Sequence, residues 1–284
     1  MSGDAESGLS RDHFAQIVRQ WSHFGPPLRP SDGDILGMQR AIDDLPRASR
    51  ALLLGLTPEI IGCRWPAGTE LMAVDHSPAM MRRLWPPERG PEGARALLAS
   101  WCAMPVPDRS IDFVIGDGCY VVFEFPDGYR ALTREIHRVL RPQGRLVIRV
   151  FLRPDRPESL EEIVGDFEDG RIGSVHALKI RLWAAMHDAD GPGTRPEDVR
   201  RAWQHFPPVP AGLVGKTGWT PEEIATIESP RSPDARYFLP TLPEFRAHMS
   251  PWFAELEFAS AGGHELAQRC PTFVFEARPD SAGG

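Results

Sequence analysis

The chain has 284 residues, 42% hydrophobic and 25% charged, with a formal net charge of −7 from 32 basic and 39 acidic side chains. Those proportions describe a folded protein of one large or two small domains, and the negative balance argues against a surface built to neutralise phosphates. Neither nucleic acid nor an anionic membrane is therefore expected as a direct partner, all the more because the positive charge is dispersed arginine and only Lys179 and Lys216 are lysines. Cys63, Cys102, Cys119 and Cys270 are scattered and form no CxxC pair. The expectation is four reduced thiols, no zinc site, no disulfide framework and no metal. The polar, acidic start of the chain does not read as a signal peptide, and no apolar run approaches the roughly 20 residues of a membrane span. A cytoplasmic location follows as an expectation.

Residues 1–10 read as a disordered tail. A helix is predicted from about Asp12 to His23, with Phe14, Ile17, Val18 and Trp21 on one face, stopped by Gly25-Pro26-Pro27. After Leu28-Arg29-Pro30, Ser31 suits the N-cap of a second helix carrying Ile35, Met38, Ile42 and Leu45. We read residues 11–46 as N-terminal helices forming a flap. From Arg50 the texture changes to short continuous apolar runs, as expected of strands buried on both faces of a parallel sheet. These are Ala51 to Gly55, Leu71 to Asp75, a weaker Ala94 to Ala99, Ile111 to Ile115, and Arg145 to Val150. Helix-like or turn-rich segments separate them, which implies crossover connections and a doubly wound α/β sheet.

Beyond Phe151 the strand signals stop for about a hundred residues, and residues 154–251 read as a helical insertion, or lid, between strands five and six. Thr194-Arg195-Pro196-Glu197, Thr220-Pro221-Glu222-Glu223 and Thr241-Leu242-Pro243-Glu244 each place a Thr three residues before a Glu, as in a capping box. Two alternating runs, Glu255 to Phe258 and Thr272 to Ala277, close the chain and pair antiparallel on our reading. The predicted fold is thus a doubly wound, mostly parallel, seven-stranded sheet with a terminal antiparallel hairpin. Its main domain comprises residues 47–153 and 252–279.

In open α/β sheets, ligands bind beyond the carboxyl ends of the strands. Gly55 ends strand one, and Thr57-Pro58 suits the start of a helix whose free N–H groups would face that crevice. A plain strand-to-helix turn needs the same residues. Asp75, about twenty residues later at the tip of strand two, suits a carboxylate accepting both hydroxyls of a ribose, rather than only opening the turn before Ser77-Pro78. Together these features point to a nucleoside ligand with an anionic group.

Three stretches carry a family resemblance. Ala73-Val74-Asp75-His76-Ser77-Pro78-Ala79-Met80 resembles the second-strand signature of class I, Rossmann-like S-adenosylmethionine-dependent methyltransferases. Pro105-Val106-Pro107-Asp108-Arg109-Ser110-Ile111-Asp112-Phe113-Val114 resembles their entry to strand four, and Glu135 to Leu146 is similar to their helix before strand five. The resemblance spans Arg50 to Val150. It departs from the family in the first loop, where Leu53, Thr57 and Glu59 replace the usual acid and glycines.

The resemblance implies S-adenosylmethionine as cofactor. It places Gly55, Thr57, Asp75 and His76 at its ribose and loop contacts, and Ser100, Trp101 and Cys102 around the adenine. Asp117 and Gly118 would lie near the methionine part. Glu59 is a candidate for its ammonium, or simply a first-turn acid facing the helix dipole, and Arg29 a candidate for its carboxylate. Trp101 is equally readable as a core aromatic, and Asp117-Gly118 as a turn. Methyl transfer is an in-line displacement in which the cofactor supplies the reactivity, so spacing reveals no obligatory base. Asp117 and Tyr120 are the candidates for a catalytic role. A small-molecule acceptor is expected under the lid. The alternatives are a non-catalytic protein binding S-adenosylmethionine or its demethylated product, and an NAD(P)-dependent oxidoreductase, which the absence of a GxGxxG loop disfavours.

Overall fold

The computed structural model describes residues 15, 17–85, 89–188, 191, 193–207, 218–228, 235–260 and 262–279. The tail expected over residues 1–10 and the start of the helix expected from Asp12 lie outside them. Residues 15 and 17–19 are helical, and a 3₁₀ turn follows at Trp21–His23.

Seven strands form one sheet: β1 (Arg50–Leu54), β2 (Glu70–Asp75), β3 (Arg95–Leu98), β4 (Ile111–Asp117), β5 (Leu140–Arg149), β6 (Phe253–Ala259) and β7 (Thr272–Ala277). Their spatial order is β3-β2-β1-β4-β5-β7-β6. The first five are mutually parallel, and β7 runs antiparallel to both β5 and β6. The order reverses between β1 and β4, so the tips of β2, β1 and β4 border one crevice.

The continuous apolar runs are explained by two cores, one on each face. Successive strand residues point to opposite sides. Leu53, Phe113, Ile115 and Val147 accordingly enter one core, and Leu52, Leu54, Val114, Leu146 and Ile148 the other. The first core is closed by α1 (Asp32–Asp43), α2 (Pro58–Ile61), α3 (Pro78–Leu84), α5 (Leu160–Glu168) and α6 (Val175–Ala185). The second is closed by α4 (Asp127–Val139) and α9 (Leu242–Met249), through Leu132, Ile136, Phe245 and Met249. Two further short helices, α7 (Pro196–Trp203) and α8 (Pro221–Ala225), complete the segment between β5 and β6. No helix among the described residues is long and apolar enough to cross a membrane.

Capping explains several boundaries. Ser31 opens α1 with a reciprocal box to Asp34, and Thr220 and Thr241 open α8 and α9 the same way through Glu223 and Glu244. Thr194 does not cap α7. It pairs instead with Tyr237 through two backbone bonds of 2.8 Å, and its hydroxyl donates to Trp183 O at 2.6 Å, leaving Arg195 at the N-cap position. At the other end of α4, the helix stops at Val139, three residues before Pro142. The chain is already strand from Leu140, with a register irregularity opposite Ile111 and Phe113.

Candidate active site

The crevice at the strand tips holds a cavity of about 160 Å³, floored by Gly55, Thr57, Asp75, Trp101, Asp117 and Gly118 and roofed by Ile17, Trp21 and Leu28. A larger hollow of about 470 Å³ between Arg50, Glu70 and Ile111 lies at the opposite, amino-terminal edge of the parallel strands. Strand topology makes the smaller crevice the candidate ligand site.

Asp75 ends β2 and is 3% exposed. Its Oδ1 accepts from Ser77 N at 2.7 Å, and its Oδ2 lies 4.0 Å from where a side chain on Gly55 would begin. Burial pushes its carboxyl up to about 6, only partly offset by the Ser77 N–H. Gly55 has φ +86° and would meet Trp101 Cζ2 at 3.4 Å if it carried a Cβ, so the backbone turn and the close approach both select glycine. Trp101 is anchored by an indole N–H bond to Val74 O at 2.6 Å and stands edge-on to His76, with ring centroids 6.4 Å apart.

The other expected adenine contacts are not brought into the cavity lining. Ser100 Oγ accepts from Cys102 N at 3.2 Å, which is local turn chemistry, and Cys102 packs toward the second core. Burial and then Glu135 push its thiol up to about 11, so it stays protonated. Thr57 lines the crevice, but its hydroxyl makes no cap bond and α2 spans only four residues, too short for the expected helix-terminus anion site.

Asp117 reaches the tip of β4, but Arg149 holds it. Arg149 Nε donates to Asp117 Oδ1 at 2.7 Å, both Nη atoms donate to Pro27 O at 3.0 Å, and Asp34 lies 3.7 Å away. Asp34 also accepts from Ser31 N at 2.9 Å and contacts His264 Nε2 at 3.1 Å. Burial raises the Asp34 carboxyl, but His264, Arg149 and the Ser31 hydrogen bonds together outweigh it and hold the group below its ordinary range. For Asp117 burial prevails over Arg149, and Asp34 and Glu59 push it further up. This network ties the N-terminal segment, β4, β5 and the β6–β7 connection together. Gly118, with φ +63°, donates to Arg149 O at 2.9 Å and would meet Phe151 Cε2 at 3.0 Å if substituted.

Tyr120 is turned away from the crevice. Its hydroxyl shares a 2.8 Å bond with Thr133 Oγ1, and its ring packs on Tyr129 and Phe245 in the second core. Burial holds the phenol far above its ordinary range, so the expected catalytic role has no geometric basis. Arg29 and Glu59 meet each other: Arg29 Nε donates to Glu59 Oε1 at 2.8 Å, and Nη2 donates to the same oxygen. Glu59 Oε2 is buried with no hydrogen-bond partner among the described residues, as is Trp21 Nε1 in the crevice roof.

Sequence reasoning missed Arg149, Asp34, His264 and Trp21. For Arg149 there was a signal: a guanidinium directly after Leu146-Val147-Ile148 in a strand covered on both faces requires a buried acid nearby. Nothing local announced that the acid would be Asp117.

Residues 57–148 match the family model described as a methyltransferase domain. No curated protein matches the sequence. Among solved structures, the candidate methyltransferase in a complex with the Trm112 methyltransferase activator of Haloferax volcanii is 11% identical with a TM-score of 0.55, over 96% of this chain and 99% of that one. A candidate zinc-dependent alcohol dehydrogenase from Rhodobacter sphaeroides is 14% identical with a TM-score of 0.61, over 95% and 99%. A possible exported protein from Bordetella parapertussis is 16% identical with a TM-score of 0.50, over 86% and 67%. Likeness at these identities speaks to fold alone. With residues 57–148 similar to a methyltransferase domain and this strand order around them, the chain has a Rossmann-like α/β fold of the class I methyltransferase type.

Proposed function

We propose that the protein is an S-adenosylmethionine-dependent methyltransferase acting on a small-molecule acceptor. The observation that carries this reading is Asp75: a buried carboxylate at the tip of β2, bonded by one backbone N–H and directed toward a glycine turn. A carboxylate so placed is suited to the two hydroxyls of an adenosine ribose.

Of the surrounding groups, Trp101 offers a fixed aromatic surface at the adenine end. Arg29 and Glu59, the expected partners of the methionine carboxylate and ammonium, pair with each other outside the crevice lining and would reach the cofactor only by parting. When bound, the sulfonium supplies an electrophilic methyl group. The chain's own residues orient the two reactants and exclude water, chiefly through Trp21, Leu28 and Phe151 around the crevice. With Arg149 bound to Asp117 and Tyr120 in the opposite core, we assign neither as a base.

Residues 47–153 and 252–279 serve as the cofactor domain on this reading, residues 11–46 as a flap, and residues 154–251 as a lid over the acceptor. The acidic net charge favours a small acceptor over a nucleic acid. The four scattered cysteines with no CxxC pair are in keeping with a reducing, cytoplasmic setting. The loop after Gly55 lacks the GxGxxG spacing that seats a pyrophosphate, so the likeness to a candidate dehydrogenase does not favour NAD. Calorimetry with S-adenosylmethionine, S-adenosylhomocysteine and NAD tests the proposal. Binding of the first two and not the third is expected; binding of NAD alone, or of none, overturns it.

A further inference from the structure

Next to the crevice lies a second cavity of about 130 Å³, sharing Ile17, Trp21, Leu28, Val122 and Phe151 with it. Its far wall is formed by Phe24, Trp183, Tyr237 and Lys179. Lys179 sits midway along α6, where all ten residues from Val175 to Ala184 are buried. Its Nζ donates to Thr226 O at 2.9 Å and lies 4.7 Å from the Phe24 ring centroid and 5.9 Å from that of Trp183.

Among the described residues no carboxylate pairs with this ammonium. The contrast with Arg181, two residues along the same helix, is direct: Arg181 pairs with Asp166 at 2.5 Å and Glu158 at 2.8 Å. The other cation lining the cavity, Arg29, is paired with Glu59. A lysine has three donors, and only one is matched here by an acceptor among the described residues. Aromatic faces and one carbonyl stabilise a buried ammonium less well than a countercharge does.

We propose that this second cavity is the acceptor site, and that it takes a flat, apolar small molecule bearing one acidic oxygen, a carboxylate or a phenolate, which pairs with Lys179. The acceptor assignment rests on the methyltransferase reading; the ligand chemistry rests on the cavity. Trp21, Phe24, Trp183 and Tyr237 supply the apolar walls, and Ile17, Trp21, Leu28, Val122 and Phe151 border both this cavity and the crevice at the strand tips. Burial brings the Lys179 ammonium down to about 7, so a bound anion favours its charged form, with the proton taken from water for a carboxylate and from the ligand itself for a phenol.

The test uses the full chain at pH 7 with 2-naphthoate, 2-naphthol and the uncharged 2-naphthamide, followed by tryptophan fluorescence and calorimetry, with and without S-adenosylhomocysteine. Naphthoate or naphthol is expected to bind at least about tenfold more tightly than naphthamide, a difference of the size that loss of a charged hydrogen bond produces. Which of the two binds better distinguishes a carboxylic acid from a phenol. In Lys179→Met that preference disappears while naphthamide affinity stays the same, and in Lys179→Arg it survives. Should Lys179→Met fail to fold, the preference in the unaltered protein and its survival in Lys179→Arg decide the matter. Equal affinity for all three probes, or displacement of the acid by S-adenosylhomocysteine, overturns the proposal. Because S-adenosylhomocysteine binding is read in the same experiment, failure of the acid site and failure of the cofactor site are distinguishable.

Discussion

Asp75 and Asp117 end the two strands that flank β1, and both side chains are largely covered at the same crevice. They are the same residue type at equivalent places, yet their surroundings give them different roles. Among the described residues the Asp75 carboxylate has a single backbone N–H and faces a gap; Asp117 is held by a guanidinium that also holds Pro27 and approaches Asp34. One carboxylate is left with its bonding capacity toward a ligand, and the other fastens the N-terminal segment to the sheet. A strand-tip acid is therefore a ligand group only when no buried cation reaches it.

The largest expected effect comes from breaking the structural member. Arg149→Met leaves Asp117 and Asp34 without their shared cation and should lower stability by about 3–5 kcal/mol, the range for removing one partner of a buried pair. Denaturant unfolding reads this out, and a loss below about 1 kcal/mol would contradict the role given to Arg149.

Asp75→Asn separates function from stability. The affinity for S-adenosylhomocysteine should fall about 30-fold or more, since a charged acceptor for the ribose is lost. Stability at pH 7.5 should instead rise, by about 1–3 kcal/mol, because a carboxyl raised to about 6 by burial destabilises the folded state once ionised. The sign follows from proton uptake: between the unfolded value near 4 and about 6, the folded chain binds more protons at Asp75, so its contribution is most favourable below that window and is lost as pH rises through it. Equal losses of stability and affinity would show that Asp75 is a structural acid after all.

The same titration sets a pH dependence. Affinity of the unaltered protein for S-adenosylhomocysteine should weaken as pH falls through about 6, where Asp75 gains its proton, and Asp75→Asn should flatten that profile between pH 5 and 7. Calorimetry across that range decides it; a profile unchanged by the substitution assigns the titration to another group. The smallest effect is expected at Tyr120→Phe, which removes the bond to Thr133 and should cost about 1 kcal/mol of stability with no change in cofactor affinity. A clear loss of methyl transfer there, once an acceptor is known, would restore Tyr120 as a catalytic candidate.

The sequence by itself determined the strands, because burial on two faces demands continuous apolar runs, and Ala51 to Leu54, Ala73 to Val74 and Phe113 to Ile115 are all apolar and buried. It also determined the glycine turn at Gly55 and the acid at Asp75, since both are dictated within a few residues of their own strand ends. Tertiary structure alone decided which polar groups find one another. Arg29 and Glu59 are 30 residues apart, Asp117 and Arg149 32, and Lys179 and Thr226 47. Such pairings depend on how separate elements pack, and periodicity along one element carries no trace of them. The same reason turned Tyr120 into the second core: a 3₁₀ turn begins directly after Gly118, and its direction follows from the backbone there. Local chemistry thus marked the place of the site, while long-range packing chose which of its residues remain available to a ligand.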